Sequence, residues 1–350
     1  MATFRRIQRR YSRPVLASAV ALGLSVGAGG VARHAQAATT ALPVAASGYR
    51  VSLFAAGTMA YSKPDSIAAD TQHVFIGYQN LGNADGSNHK PSTVVEYSLL
   101  GQVIHTFSVP GHNDGLRIDP YTGLLWATSN EDANALLTTI NPTTRSLITY
   151  RFPQTAHGGG YDDMAFMNGA AFIAASHPTL NSAGVNTHPA LDRVVLRNGT
   201  LTVTPVLMGN TSATDLTTHH TVTLNEVDPD SMYITPQGDL MLDNQGGGEI
   251  VLVHNPGATG QTVSRLPMGT QVDDTVWATS AQGHILVSDH GGNAVYAIRG
   301  AFTAGTAYSS APGDSGVAGF VGSLDLTSGT LKPVVIGLSS PGGMAFIPGM

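Results

Sequence analysis

The stretch His112-Asn113-Asp114-Gly115-Leu116-Arg117-Ile118 runs into the turn Asp119-Pro120-Tyr121-Thr122-Gly123 and then into a second apolar run, Leu124-Leu125-Trp126-Ala127-Thr128. An Asp, a small residue and an aliphatic open one short strand, a turn rich in Pro and Gly closes it, and a second strand returns. The opening phrase recurs as Pro64-Asp65-Ser66-Ile67, Tyr161-Asp162-Asp163-Met164, Pro229-Asp230-Ser231-Met232 and Asp273-Asp274-Thr275-Val276, with a degenerate copy at Pro341-Gly342-Gly343-Met344.

Aligned on Asp65, Asp114, Asp162, Asp230, Asp274 and Gly342, the copies lie 49, 48, 68, 44 and 68 residues apart. A period of roughly 40–50 residues is the mark of a propeller or a repeat array. Second apolar runs follow at His73 to Tyr78, Leu124 to Thr128, Ala171 to Ala175, Leu240 to Leu242 and Ile285 to Val287, and two more strand-like runs usually come after them. Four short antiparallel strands per unit make a propeller blade. The fold expected is therefore an all-β propeller, with six blades favoured over five and extra segments near 178–192 and 301–318. Residues 49–55 read as an outermost strand and Met344 to Ile347 as an innermost one, so the termini are expected to close the ring together and remove a free sheet edge. The two middle strands of that closing blade are expected within 301–338, where Gly319 to Leu326 and Leu331 to Leu338 suggest a hairpin.

Composition agrees with an all-β chain: 41 Gly and 19 Pro in 350 residues. Residues 1–37 read as a signal peptide, with Arg5, Arg6, Arg9, Arg10 and Arg13 before an apolar stretch and Ala35-Gln36-Ala37 as the cleavage site. A membrane anchor is the alternative, although Gly23, Gly27, Gly29 and Gly30 dilute the run. An exported protein, periplasmic or extracellular, with one propeller domain over 38–350 and no membrane span after cleavage, is the expectation. Thr3-Phe4-Arg5-Arg6-Ile7 carries paired arginines without the rest of a twin-arginine consensus, so the export route stays open. Residues 38–350 hold 11 basic and 23 acidic residues, a formal net charge of −12. Such a balance argues against nucleic acid as a partner. With no cysteine, thiol chemistry and thiolate metal sites are excluded.

In a four-stranded blade the start of the innermost strand and the end of the second strand face the same mouth of the channel. The first set is Asp65, Asp114, Asp162, Asp230 and Asp274. The second, read in matching phase, is Asn80, Asn130, His177, Asn244 and His290. Carboxylate and amide oxygens are hard donors of the kind Ca²⁺ takes, and Mg²⁺ or Mn²⁺ would use fewer of them. A divalent metal, with calcium first, is thus the expected cofactor, held among Asp65, Asn113, Asp114, Asn130, Asp162, Asp230, Asn244 and Asp274. His112, His177 and His290 are the general-base candidates. Glu131, Asp132, Asp163, Asp273, Asp289 and His157 enrich the same mouth. The alternative is that each Asp bonds backbone N–H groups of its own turn, so that a repeated turn repeats its Asp without any ligand.

The phrases His112-Asn113-Asp114-Gly115-Leu116, Asp119-Pro120-Tyr121-Thr122-Gly123-Leu124-Leu125-Trp126 and Ala175-Ser176-His177-Pro178 resemble pieces of the six-bladed calcium-dependent propellers, the gluconolactonase-like and paraoxonase/arylesterase-like families. That resemblance implies hydrolysis of lactones and esters, with Asn113 or Asp114, Asp162 or Asp163, and Asn130 on the metal and His177 as base. The chain departs from those families in having Asp65 where an early glutamate is usual and Gly342 where an acid is usual. Gly-x-Ser-x-Gly, Gly-Lys-Ser and His-Glu-x-x-His are absent, which removes support for serine hydrolase, nucleotide and zincin chemistry. Two functions follow: a metal-dependent hydrolase of lactones or small esters, or a non-catalytic propeller that binds a small molecule, a glycan or a protein. A quinone or other redox role has no motif behind it, and oligomeric state is not legible.

Overall fold

The computed structural model describes residues 42–313 and 317–349; the leader expected over 1–37 lies outside the described residues. The described chain is a six-bladed propeller of four-stranded antiparallel blades. From the axis outward, blade 1 is Pro64–Ala69, His73–Tyr78, Ser92–Ser98 and Val103–Val109, and blade 2 is Asn113–Ile118, Leu125–Ser129, Leu136–Ile140 and Leu147–Arg151. Blade 3 is Met164–Met167, Ala170–Ala174, Pro189–Arg197 and Thr200–Met208, and blade 4 is Pro229–Ile234, Leu240–Asn244, Glu249–His254 and Thr262–Pro267. The second strands are buried along almost their whole length, whereas an outer strand such as Leu147–Arg151 is largely exposed. Strands packed on both faces read as continuous apolar runs, which is why the inner repeats do not alternate.

The last two blades are interleaved. Blade 5 is Thr275–Trp277, Ala307–Ala311, Gly319–Asp325 and Thr330–Leu338, while blade 6 is Pro341–Pro348, Gly283–Asp289, Ala294–Gly300 and Tyr49–Ala56. Both termini close the ring as expected, but the middle strands of the closing blade come from 283–300. The 319–338 hairpin and the segment 307–311 belong to blade 5. The long interval before the fourth phrase is filled mainly by nine-residue strands in blade 3 and by a hairpin, Ser212–Asp215 with Thr221–Thr223, that lies parallel on the outer strand of blade 4.

A β-bulge sits at every copy of the opening phrase. Pro64 pairs with Tyr78 and Ile67 with Ile76, so Asp65-Ser66 stands opposite Gly77 alone. Asp114-Gly115 stands likewise opposite Thr128, Asp230-Ser231 opposite Asp243, and Gly342-Gly343 opposite Ser288. In blades 3 and 5 the backbone bonds Asp162 N to Ala174 O and Ala174 N to Asp163 O, and Asp273 N to Ser310 O and Ser310 N to Asp274 O, give the same two-against-one match. A bulge bends the strand and re-aims a side chain. Here the first bulged residue lines the channel, and the second packs against the next blade.

That packing explains why the second residue is glycine in blades 2 and 6. A Cβ on Gly115 would lie 2.4 Å from Thr128 Oγ1, 2.5 Å from Asp162 O and 2.6 Å from Asp163 Cα, and one on Gly343 would lie 2.4 Å from Asp65 O. Gly115→Ala is therefore expected to destabilise the protein by about 1–3 kcal/mol through overpacking. Gly269→Ala is the control, since a Cβ there meets nothing within 4 Å. Thermal melting of both variants checks this, and a Gly115→Ala protein as stable as the control would contradict the blade-to-blade contact.

Candidate functional site

The first bulged residues meet around the axis at a cavity of about 250 Å³, lined by Asp65, Ser66, Gln79, Asp114, Arg117, Glu131, Asp132, Asp162, Asp163, Asp228, Asp230, Ser231, Gln245, Asp273, Asp274 and Gly343. The wall is polar throughout, and Arg117 is the one cationic side chain in it. Five blades give the ring an aspartate and the sixth gives Gly342. In blade 5 the ring residue is Asp273 and not Asp274, because the bulge starts one residue earlier than the sequence phrase suggests. Asp274 sits one layer deeper, where its Oδ2 accepts the Met344 N–H at 2.7 Å, as Asp163 Oδ2 accepts the Met232 N–H at 3.1 Å.

Burial is the main cause that holds Asp65, Asp114, Asp162 and Asp230 well above the ordinary carboxylate range, and like charges add to it. Burial and then Asp274 push Asp273 up to about 8. The lower layer is compensated: Arg117 donates to Asp163 Oδ2 and to Met232 O, and stands 3.6 Å from Asp274 Oδ1. Asp163 still reaches about 6, since burial outweighs the guanidinium, and its Oδ1 is buried without a partner.

On the blade 2 side the wall gains an imidazole. His112 Nδ1 lies 3.0 Å from Gly82 O, so the ring donates there. Its Nε2 lone pair then faces Asp114 Oδ1 at 3.2 Å, and burial lowers the His112 pKa and keeps it neutral. Glu131 donates its backbone N–H to Asp114 Oδ2 at 3.2 Å, and its carboxyl is hydrogen-bonded to that of Asp162, which raises Asp162 further. One ligand atom each from His112, Asp114 and Glu131 lie within 4.8 Å of one another. Two acceptors 3.2 Å apart need a proton or a cation between them. An imidazole that gives its other N–H to a backbone carbonyl is fixed as metal ligands usually are. The residues thus fit a divalent cation, with the carboxylate ring as hard oxygen donors and His112 as a nitrogen donor.

Of the residues singled out in the sequence, Asp65, Asp114, Asp162, Asp230 and Asp274 line the cavity and His112 adjoins it through Asp114. The asparagines do not reach it. Asn130 Oδ1 accepts the His112 N–H at 2.9 Å, Asn244 Oδ1 the Asp228 N–H at 3.2 Å, and Asn80 Oδ1 the Ser62 N–H at 2.9 Å. Each pins the chain entering an inner strand to the end of the second strand. Asn113 is fully buried and donates to Gly115 O and Thr128 O across its own bulge. His177 is a rim residue whose side chain is 66% exposed, with Nδ1 2.9 Å from Asp132 Oδ1. His290 ends the second strand of blade 6, beside Lys63, with its pKa pressed to about 4 mainly by burial. Asp289 accepts the backbone N–H groups of Gly292, Ser339 and Ser340, and His157 is buried against Gly160 O. Sequence reasoning missed Arg117, Gln79, Asp228 and Gln245. Arg117 had a signal: it stands in the inner-strand row otherwise filled by Ala68, Ala165, Tyr233, Val276 and Ala345.

No family model and no curated protein matches the chain. Among solved structures, it is similar to a protein of unknown function from Bacteroides caccae, at 11% identity and TM-score 0.48 over 81% of this chain and 86% of that one. It is also similar to a protein classed as a gluconolactonase, at 13% identity and TM-score 0.45 over 84% and 83%, and to a virginiamycin B lyase from Staphylococcus aureus, at 10% identity and TM-score 0.44 over 72% and 99%.

Proposed function

We propose that this exported propeller is a divalent-cation-dependent hydrolase of lactones or small esters, with the cation held at the channel wall by His112, Asp114 and Glu131. The observation that carries the reading is the Nε2 lone pair of His112 aimed at Asp114 Oδ1, with Glu131 beside it and Gly82 O fixing the ring. A cation bound there supplies Lewis-acid polarisation of a carbonyl oxygen. Burial and the neighbouring carboxyls, Glu131 among them, raise Asp162, which puts a carboxyl of increased proton affinity beside the site within the cavity. His177, out on the rim, is not given a role. Calcium suits the oxygen-rich wall, and the imidazole brings Mn²⁺ and Zn²⁺ into the comparison.

The test is elemental analysis of protein purified without chelator, followed by a lactone and aryl-ester screen on stripped and on Ca²⁺-, Mn²⁺- or Zn²⁺-reloaded protein. Hydrolysis should disappear on stripping and return on reloading, and His112→Ala or Glu131→Gln should weaken the metal by roughly tenfold or more. Hydrolysis indifferent to chelator and to Glu131→Gln would refute it. One observation favours a second reading: the wall has no apolar side chain to hold an ester body, whereas small-molecule sites are mostly apolar. A metal-binding protein without hydrolytic activity in that screen would mean that the channel ion serves a non-catalytic binding propeller.

A further inference from the structure

The face of the propeller away from the aspartate ring carries a cavity of another character. The turn at 119–123 joins the end of the inner strand of blade 2 to the start of its second strand, whereas the aspartates stand at the starts of the inner strands. Beside that turn, between blades 2 and 3, lies a groove of about 390 Å³ whose wall includes Tyr121, Trp126, Phe166, Arg193, Val195 and Leu196. Trp126 and Phe166 meet edge to face at 5.2 Å and make a fixed corner. Tyr121 is 58% exposed, and its hydroxyl accepts the Gly169 N–H at 2.7 Å, which ties the ring to blade 3. A mostly apolar wall with a few placed polar groups, around roughly 300–1,000 Å³, is the usual form of a small-molecule site. The carboxylate cavity lacks such a wall, and this groove has one.

What the groove offers in hydrogen bonds is one-sided. Asp119 also lines it, but Asp119 Oδ1 accepts the Tyr121 N–H at 2.9 Å and Oδ2 accepts the Thr122 hydroxyl at 2.6 Å, so the carboxylate closes its own turn. Among the described residues, Arg117, Arg145 and Arg265 pair with carboxylates, while the Arg193 side chain has neither an ion pair nor a hydrogen bond. The Tyr121 hydroxyl, whose oxygen serves Gly169, still has its proton to give. The unspent groups are therefore donors, one of them a full positive charge, and a guanidinium fork matches a carboxylate. A sugar, polar on every side, would leave hydroxyls unpaired against Trp126, Phe166 and Leu196. We propose that this groove is a second ligand site, for a small aromatic carboxylate. Arg193 and the Tyr121 hydroxyl take the carboxylate, and the Trp126–Phe166 corner packs on the aromatic body.

The groove is separate from the channel and owes nothing to the metal reading, so it is tested in the presence of chelator. Stripped protein would be titrated by ligand-observed NMR with phenylacetate, with phenethyl alcohol, which lacks the charge, and with glucuronate, which lacks the aromatic ring. The proteins are the wild type, Arg193→Gln, Tyr121→Ala and a charge-matched control, Arg151→Gln, at the end of the outer strand of blade 2 that lies toward the aspartates. Arg193 and Arg151 are both exposed, so neither substitution threatens the fold. Phenylacetate should bind the wild type more tightly than either comparison compound. Arg193→Gln should weaken it about tenfold, the size of one lost hydrogen bond to a charged group. Tyr121→Ala should weaken it severalfold, and Arg151→Gln should leave it unchanged. Phenethyl alcohol or glucuronate binding as tightly as phenylacetate, equal losses in Arg193→Gln and Arg151→Gln, or a wild type that binds phenylacetate only once a divalent cation is restored, or not at all, would each overturn the proposal.

Discussion

Stripped of divalent cations, the protein is expected to melt at lower temperature as pH rises from 5 to 8, and a divalent cation is expected to abolish that fall. Asp65, Asp114, Asp162, Asp230 and Asp273 all have folded-state pKa values above the ordinary carboxylate range, with Asp273 at about 8 and the deeper Asp163 at about 6. A group raised in this way favours the fold while it is protonated. Its contribution is complete below the unfolded pKa of about 4 and is lost as pH climbs through the folded value. Each unit of elevation corresponds to about 1.4 kcal/mol, so several such groups should lower Tm by roughly 5 °C or more over this window. Carboxyls with lowered pKa, such as Asp215 at about 2, act in the opposite sense but only below pH 4. His157, His284 and His290, lowered to about 4 mainly by burial, act in the opposite sense between about pH 4 and 6.5, so the cation-sensitive part of the fall between pH 6.5 and 8 is what reports the channel. A cation bound among the ionised carboxylates offsets the fall because it binds the form that high pH provides. At a hundredfold excess over Kd it contributes about 2.7 kcal/mol. Scanning calorimetry at pH 5, 6.5 and 8, with and without Ca²⁺ or Mn²⁺, reads both effects. A Tm flat with pH in stripped protein, and unmoved by either ion, would leave the ring carboxylates as structural groups only.

The repeat was legible because each blade starts with the same turn chemistry, and turn chemistry is local. Asp65, Asp114, Asp162 and Asp230 could be aligned by eye and do meet at the axis. The ring position in blade 5 was misread by one residue, since Asp273-Asp274-Thr275-Val276 offers two aspartates and the bulge that chooses between them leaves no mark in composition. The same ambiguity explains the asparagines. Asn130 and Asn244 recur with the period of the ring aspartates because they lock the same turn, and a repeated structural bond is as periodic as a repeated ligand. Blade 6 was harder still: the Gly283–Gly300 hairpin crosses to the neighbouring sheet, and strand partners that distant in sequence are set by tertiary packing. Glu131, which touches Asp162 in the channel, stands after Asn130 in one blade alone, so no repeat could point to it.

Arg117→Met is expected to be among the most damaging single substitutions in the channel. The guanidinium is wedged among Asp163, Asp274 and the carbonyls of Leu116 and Met232, and it borders both the carboxylate cavity and a groove formed by Met164, Phe166, Tyr233 and Ile234 on its other side. Removing one partner of a buried ion pair leaves the other charge uncompensated, which costs about 3–5 kcal/mol. Asp163 and Asp274 would be stranded together, and Asp163 already has one oxygen without a partner. The loss should be greatest at pH 8 and smaller at pH 5, where Asp163, at about 6 even beside Arg117, can take a proton. Adding Asp163→Asn to Arg117→Met should recover part of the stability, because the amide keeps a hydrogen-bonding oxygen for the Met232 N–H without the charge. The freed carboxylates should also raise affinity for divalent cations, so that Arg117→Met gains more Tm from Mn²⁺ than wild type does. An Arg117→Met protein that melts within a degree of wild type at pH 8 would show that the two aspartates are neutral there without it. The guanidinium would then be filling the channel and not balancing it.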